Sequence, residues 1–147
     1  MKGEHYPLES TPDKEFFFFQ SIGPKGVFVK AVWFQKRPLG KQVFNLALCI
    51  IKDSVFLDDV ETNNEDFVKT MFTVVRAILN FLETYPEAKI QIGAGEEQRL
   101  RIYNNIVQRK LDEVKTKLIV KGFINKRREL IQRGKFYEMF EVSLRKR

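Results

Sequence analysis

The sequence predicts an α+β fold, a mostly antiparallel sheet with two packed helices in the order β-β-β-α-β-α-β-β. Three observations carry that reading. Apolar and aromatic runs separated by turns rich in glycine and proline fill the first third of the chain. From Glu65 the apolar residues change to helical spacing. The 147 residues are 44% hydrophobic and include 14 Phe, enough for a core of large side chains.

Each element follows from its own pattern. Residues 1–14 carry Pro7 and Pro12 and little apolar content, so they read as a flexible arm that leaves 15–147 as one domain. Glu15–Ile22 is an aromatic run suited to a strand, closed by a Gly-Pro turn through Gly26. Val27–Lys36 continues as a second strand. By the period of two, Val27, Val29, Ala31 and Trp33 share one face, and Phe28, Lys30, Val32 and Phe34 share the other. After Arg37-Pro38-Leu39-Gly40, the run Val43–Ile51 is the most apolar and predicts a central strand. Lys52–Asn64 is acidic and reads as a surface loop or sheet edge. Asp58 and Asp59 are adjacent there and point opposite ways if the segment is extended.

Asn63 or Asn64 suits a helix N-cap, and Glu65 and Asp66 suit the first turn by the helix dipole. Phe67, Met71, Val74, Val75, Ile78 and Leu82 form an apolar stripe, which Phe72, Leu79 and Phe81 widen to more than one side. Tyr85-Pro86 ends this helix. Ala88–Ile92 predicts a short strand and Gly93-Ala94-Gly95 a turn. A second helix starts at Glu96-Glu97 and buries Leu100, Tyr103, Ile106 or Val107, Leu111, Val114 and Leu118. Ile119–Ile124 and Lys135–Leu144 predict a last strand pair, with Lys126-Arg127-Arg128 in the connection.

Composition narrows the functional classes. Cys49 is the only cysteine, so no internal disulfide forms, and its apolar run predicts an inert buried thiol. His5 is the only histidine and lies in the arm, away from any nucleophile that would need it. No metal cluster and no catalytic set stands out, and no cofactor is expected. Apolar runs fall short of the ~20 residues that span a bilayer, and the N-terminus lacks a signal-peptide core. The expectation is a cytoplasmic protein with no membrane contact. Charge is uneven: Arg99 to the C-terminus holds 15 Lys and Arg against 5 Asp and Glu, whereas Met1 to Gln98 holds 11 against 14. A basic C-terminal third suits an acidic partner, either nucleic acid or an acidic protein.

The turn at Gly93 and Gly95, between a strand and a helix start, resembles phosphate-binding turns, with Arg99 and Arg101 nearby. Gln98 stands where a dinucleotide fingerprint has its third glycine. Gly93, Gly95, Arg99, Arg101, Lys126, Arg127 and Arg128 are therefore the anion-binding candidates.

Two resemblances enter at these residues. Ile102-Tyr103, after the helix–strand–helix run of residues 65–103, resembles the C-terminal half of the N-acetyltransferase superfamily. That likeness implies an N-acetyltransferase-like fold, acetyl-CoA as cosubstrate and Tyr103 as the acid that protonates the departing thiolate. The position of the coenzyme-binding loop reads DDVETNNED here, with no glycine. More closely, the chain is similar along most of its length to an uncharacterised bacterial family, a domain of unknown function. The matching pieces are Ser21 through Gly26, Asn45-Leu46-Ala47, Asp58-Asp59 with Asn63-Asn64, Tyr85-Pro86 with Ala88, and Gly93 with Arg99 through Tyr103. Ala94 and Gly95 replace the hydroxyl residues of the family pattern, and Leu100 replaces its threonine.

The expected function is a non-enzymatic binding domain whose basic C-terminal surface meets an acidic partner. The alternatives are a divergent acyltransferase working through Gly93–Tyr103 and pairing of the sheet edge or an aromatic surface into a homodimer.

Overall fold

The computed structural model describes residues 4–38, 42–58, 65–93, 104, 108 and 115–146. Its contacts divide the chain into two compact units, one of Lys2–Gln35 with Leu46–Thr84, the other of Lys36–Asn45 with Tyr85–Arg147.

In the first unit, β1 (Glu9–Ser10), β2 (Phe16–Gly23) and β3 (Gly26–Lys36) follow one another as hydrogen-bonded neighbours, with β4 (Val43–Lys52) next and β5 (Val55–Asp58) paired to β4. The β2/β3 hairpin runs in register from Phe16↔Trp33 to Gly23↔Gly26. Helix α1 spans Phe67–Thr84. Its apolar side is wide because Phe72, Val74, Ala77, Ile78, Leu79, Phe81 and Leu82 are all buried. The Phe34 ring stacks on Phe81 with centroids 4.2 Å apart. Of the two faces of β3, the buried one carries Lys30, Val32 and Phe34, so a lysine sits inside an aromatic core. Tyr6 is buried as well, its backbone N–H donating to Thr73 Oγ1 at 2.9 Å. The hairpin end leaves Ile22, Val27 and Val29 exposed.

In the second unit the hydrogen-bonded order is β4-β6-β9-β7-β8, with β6 Lys89–Gly93, β7 Leu118–Ile124, β8 Arg127–Leu130 and β9 Met139–Leu144. The β4/β6 pair is parallel and the other pairs of this unit are antiparallel. One face is apolar, with Phe44, Ile90, Leu118, Val120, Phe140 and Val142 buried. Gly122 is required there: a Cβ would come within 2.2 Å of the Tyr137 ring, which is fully buried. Asn104 and Gln108 are helical and one turn apart. Asn104 donates to Tyr137 O at 2.8 Å and accepts from Tyr137 N at 2.6 Å, replacing a strand partner. Gln108 donates to the carbonyls of Gln132 and Lys135 and accepts from Gly134 N.

The sheet is mostly antiparallel in a mixed α+β chain, as expected, but it has more strands than the sequence pattern suggested. Three were missed. β1 lies in the segment read as an arm. β5 lies in the acidic stretch, on the sheet edge side of that reading. β8 takes up Arg127 and Arg128, which were placed in a connection. The physical reason is shared by β5 and β8. Their hairpins turn through Asp53-Ser54 and Asn125-Lys126, two-residue loops with φ of 50° and 64° in each. Such left-handed pairs close tight hairpins but are usually announced by Asn-Gly or Gly-Gly, and here no glycine marks them. The last strand begins at Met139 rather than Lys135, because Lys135–Glu138 are drawn into the loop held by Asn104 and Gln108. Of the acetyltransferase-like stretch, residues 65–103, the part from residue 94 onward and most of the second predicted helix lie, apart from Asn104 and Gln108, outside the described residues.

Candidate functional site

Two polar assemblies stand out, one in each unit. The first gathers on Asp66, just before α1, whose carbonyl accepts Thr70 N at 2.8 Å and so starts the helix. Its side chain does not cap. Oδ2 accepts from Tyr6 Oη at 2.7 Å and from Ser21 Oγ at 2.5 Å, and Tyr6 Oη also bridges to the backbone of Ile22. Burial pushes the Asp66 carboxyl up, but the Ser21 and Tyr6 hydrogen bonds outweigh it. The charge of Lys30 and the nearby Thr70 hydroxyl add to them, so its pKa ends below the usual carboxylate value. Burial, then the bond to Asp66, pushes the Tyr6 phenol up. Lys69 Nζ lies 4.4 Å above the Tyr6 ring centroid. Ser21 and Lys30 are buried, so no reactant reaches them. This assembly ties the N-terminal segment, β2 and α1 together.

The second assembly is the polar face of the sheet in the other unit. Cross-strand partners share a face, so the pairings place its residues in rows. One row reads Asn45–Gln91–Glu141–Lys121–Leu130 across β4, β6, β9, β7 and β8. The next reads Gly93–Met139–Phe123–Arg128, and on the other side lies Val43–Lys89–Ser143–Ile119. Arg37 joins the face by donating from Nη1 to Gln91 Oε1 at 2.8 Å. Glu141 is only 5% exposed and accepts from Arg128 Nη1 at 3.0 Å through Oε2. Lys89 and Lys121 have no ion-pair partner among the described residues. Among the described residues the face thus carries Arg37, Lys89, Lys121 and Arg128 with one acid, Glu141.

Of the sequence candidates, Gly93 and Arg128 come together in a single row, at the ends of three strand spacings, or ~14 Å. Lys126 sits in the β7/β8 turn, and Arg127 has the opposite parity to Arg128 and belongs to the other face. Gly95, Arg99, Arg101 and Tyr103 lie outside the described residues. Sequence reasoning missed Arg37, Lys89, Lys121 and Glu141 as a group. The available signal was the alternation of polar residues in Lys89-Ile90-Gln91, in Lys121 within β7 and in Glu141-Val142-Ser143.

Elsewhere in this unit, Glu129 accepts from Lys135 Nζ at 3.0 Å and from Tyr137 Oη at 2.9 Å, which holds its carboxyl below the usual range. Among the described residues no group of His, Cys, Asp and Glu could hold a metal, and no helix is long and apolar enough to cross a membrane.

Comparison with known proteins places the chain in a family. The model for a family of unknown function (DUF6934) matches residues 2–145, and the chain belongs to that family. No curated protein and no solved structure matches it, so the acetyltransferase likeness finds no support there.

Proposed function

We propose that this protein is a non-enzymatic binding domain that takes nucleic acid on the polar face of β6, β9, β7 and β8. One observation supports the reading above others: among the described residues the polar face carries four cations and one acid, and Lys89 and Lys121 have no anionic partner there. Lysines that satisfy no internal carboxylate add nothing to folding, yet each can replace a counterion on a phosphate. A pleated sheet spaces them at strand intervals, which suits a repeating polyanion better than a single small anion.

Fluorescence polarisation with labelled oligonucleotides at several salt concentrations tests this. If all four cations meet phosphates of a single strand, log K falls with log salt at a slope of roughly −3. Lys121→Ala should flatten that slope by about 0.7. Absent or salt-insensitive binding removes nucleic acid, and equal displacement by polyglutamate redirects the reading to an acidic protein.

A further inference from the structure

The row beside the cations differs from the rest of the face. Phe123 lies in its middle, half-buried, between Met139 and Arg128. Most of the described aromatic rings lie against another ring, as Phe16 does on Trp33 and Tyr137 on Phe140. Phe123 lies against none among the described residues. Gly93 ends the row on the β6 side and is exposed, and a Cβ built there would touch only Met139 Sδ, at 3.9 Å. The row therefore descends from a guanidinium through a half-buried ring, stacked on no other described ring, and a thioether to a position with no side chain.

From this we infer that the face is built for unpaired bases, with Phe123 as the stacking platform, and that the ligand is single-stranded rather than duplex nucleic acid. The inference rests on the nucleic-acid reading above and sharpens it. A duplex offers phosphates to the cations but keeps its base faces stacked inside, so it gains nothing from Phe123. An unpaired base lays its π face on the ring, fills the low ground over Met139 and Gly93, and leaves its phosphate beside Arg128. Met139 accommodates different bases because its unbranched thioether adapts its shape. The expected recognition is tolerant of sequence and selective for strandedness.

The test compares a labelled 15-nucleotide oligoadenylate with a duplex of the same length, against the unaltered protein, Phe123→Leu and Phe123→Tyr. Phe123→Leu keeps apolar bulk and removes the π face; its melting temperature is measured alongside to confirm folding. The expected result is tighter binding of the single strand and about a tenfold loss for Phe123→Leu on that strand alone. Phe123→Tyr should retain binding. Equal affinity for both forms, or an equal effect of Phe123→Leu on both, overturns the stacking role while the polyanion reading stands. No binding to either form overturns the nucleic-acid reading itself, and this inference with it.

Discussion

Asp66 and Glu141 are both carboxylates drawn in among cations, yet their surroundings differ. Asp66 receives two hydroxyl hydrogen bonds on Oδ2, feels the buried Lys30 and the Thr70 hydroxyl, and has its pKa lowered by them. Among the described residues Glu141 receives one bond, from the partly exposed Arg128, and its neighbours Lys121 and Gln91 do not bond to it. A carboxylate saturated by groups from three parts of the chain holds those parts in place. Glu141, buried with one cation partner among the described residues, organises its strand face, and Lys89 and Lys121 beside it remain without an anionic partner among those residues. The contrast separates a fastening from a binding surface, although both began as a polar residue in an apolar strand or helix start.

The largest effect should come from the fastening. Asp66→Ala removes the acceptor of Tyr6 and Ser21 and takes a negative charge from beside buried Lys30, so unfolding in urea should show a loss of about 3 kcal/mol. A loss below 1 kcal/mol would mean that the N-terminal segment is held by packing alone. Next, Gly122→Ala drives a methyl into the Tyr137 ring and should cost about 2 kcal/mol, read by the same titration. Asn104→Ala leaves the N–H and C=O of Tyr137 unpaired in a buried place, and a similar cost of roughly 2 kcal/mol is expected.

The pH dependence should sharpen the comparison further. The Asp66 pKa is lowered in the folded protein, so the unfolded chain binds its proton first as pH falls. Its stabilisation is complete above the ordinary aspartate value and fades as pH drops through the lowered folded value. Asp66→Asn should flatten acid unfolding in that window, read as urea stability against pH. The smallest effect on stability should be Lys121→Ala, within about 0.5 kcal/mol, although this is the variant expected to change salt-dependent binding. If Lys121→Ala proves as damaging to the fold as Asp66→Ala, the polar face is a structural element and the contrast collapses.

How far the sequence showed this depended on the kind of signal. Helix α1 and the strands β2, β3, β4 and β7 were readable because their apolar periods are long and their turns carry glycine or proline. β5 and β8 were not, because Asp53-Ser54 and Asn125-Lys126 adopt left-handed geometry without a glycine to announce it. The basic residues of the C-terminal third were visible as a count, but a count cannot assign a face. Only register shows that Arg128 and Lys121 share a surface while Arg127 turns away. Lys30 on the aromatic side of β3 was a legible anomaly, since a lysine is rarely buried without a counter-charge. Its partner was not legible, because Asp66 sits 36 residues later in a position that reads as an ordinary helix start.

The loop from Ile131 to Tyr137 carries a consequence for handling the protein. It has no regular secondary structure, yet Gln108 occupies two of its carbonyls and one amide, Tyr137 Oη takes the amide of Gln132, and Asn104 closes its end. Trypsin needs an extended backbone to cleave after Arg133 or Lys135, and this backbone is already engaged by side chains. Limited digestion should spare both bonds in the native protein and open them in Asn104→Ala, making the protease a reporter for a clip that spectroscopy of helix and strand content would never register.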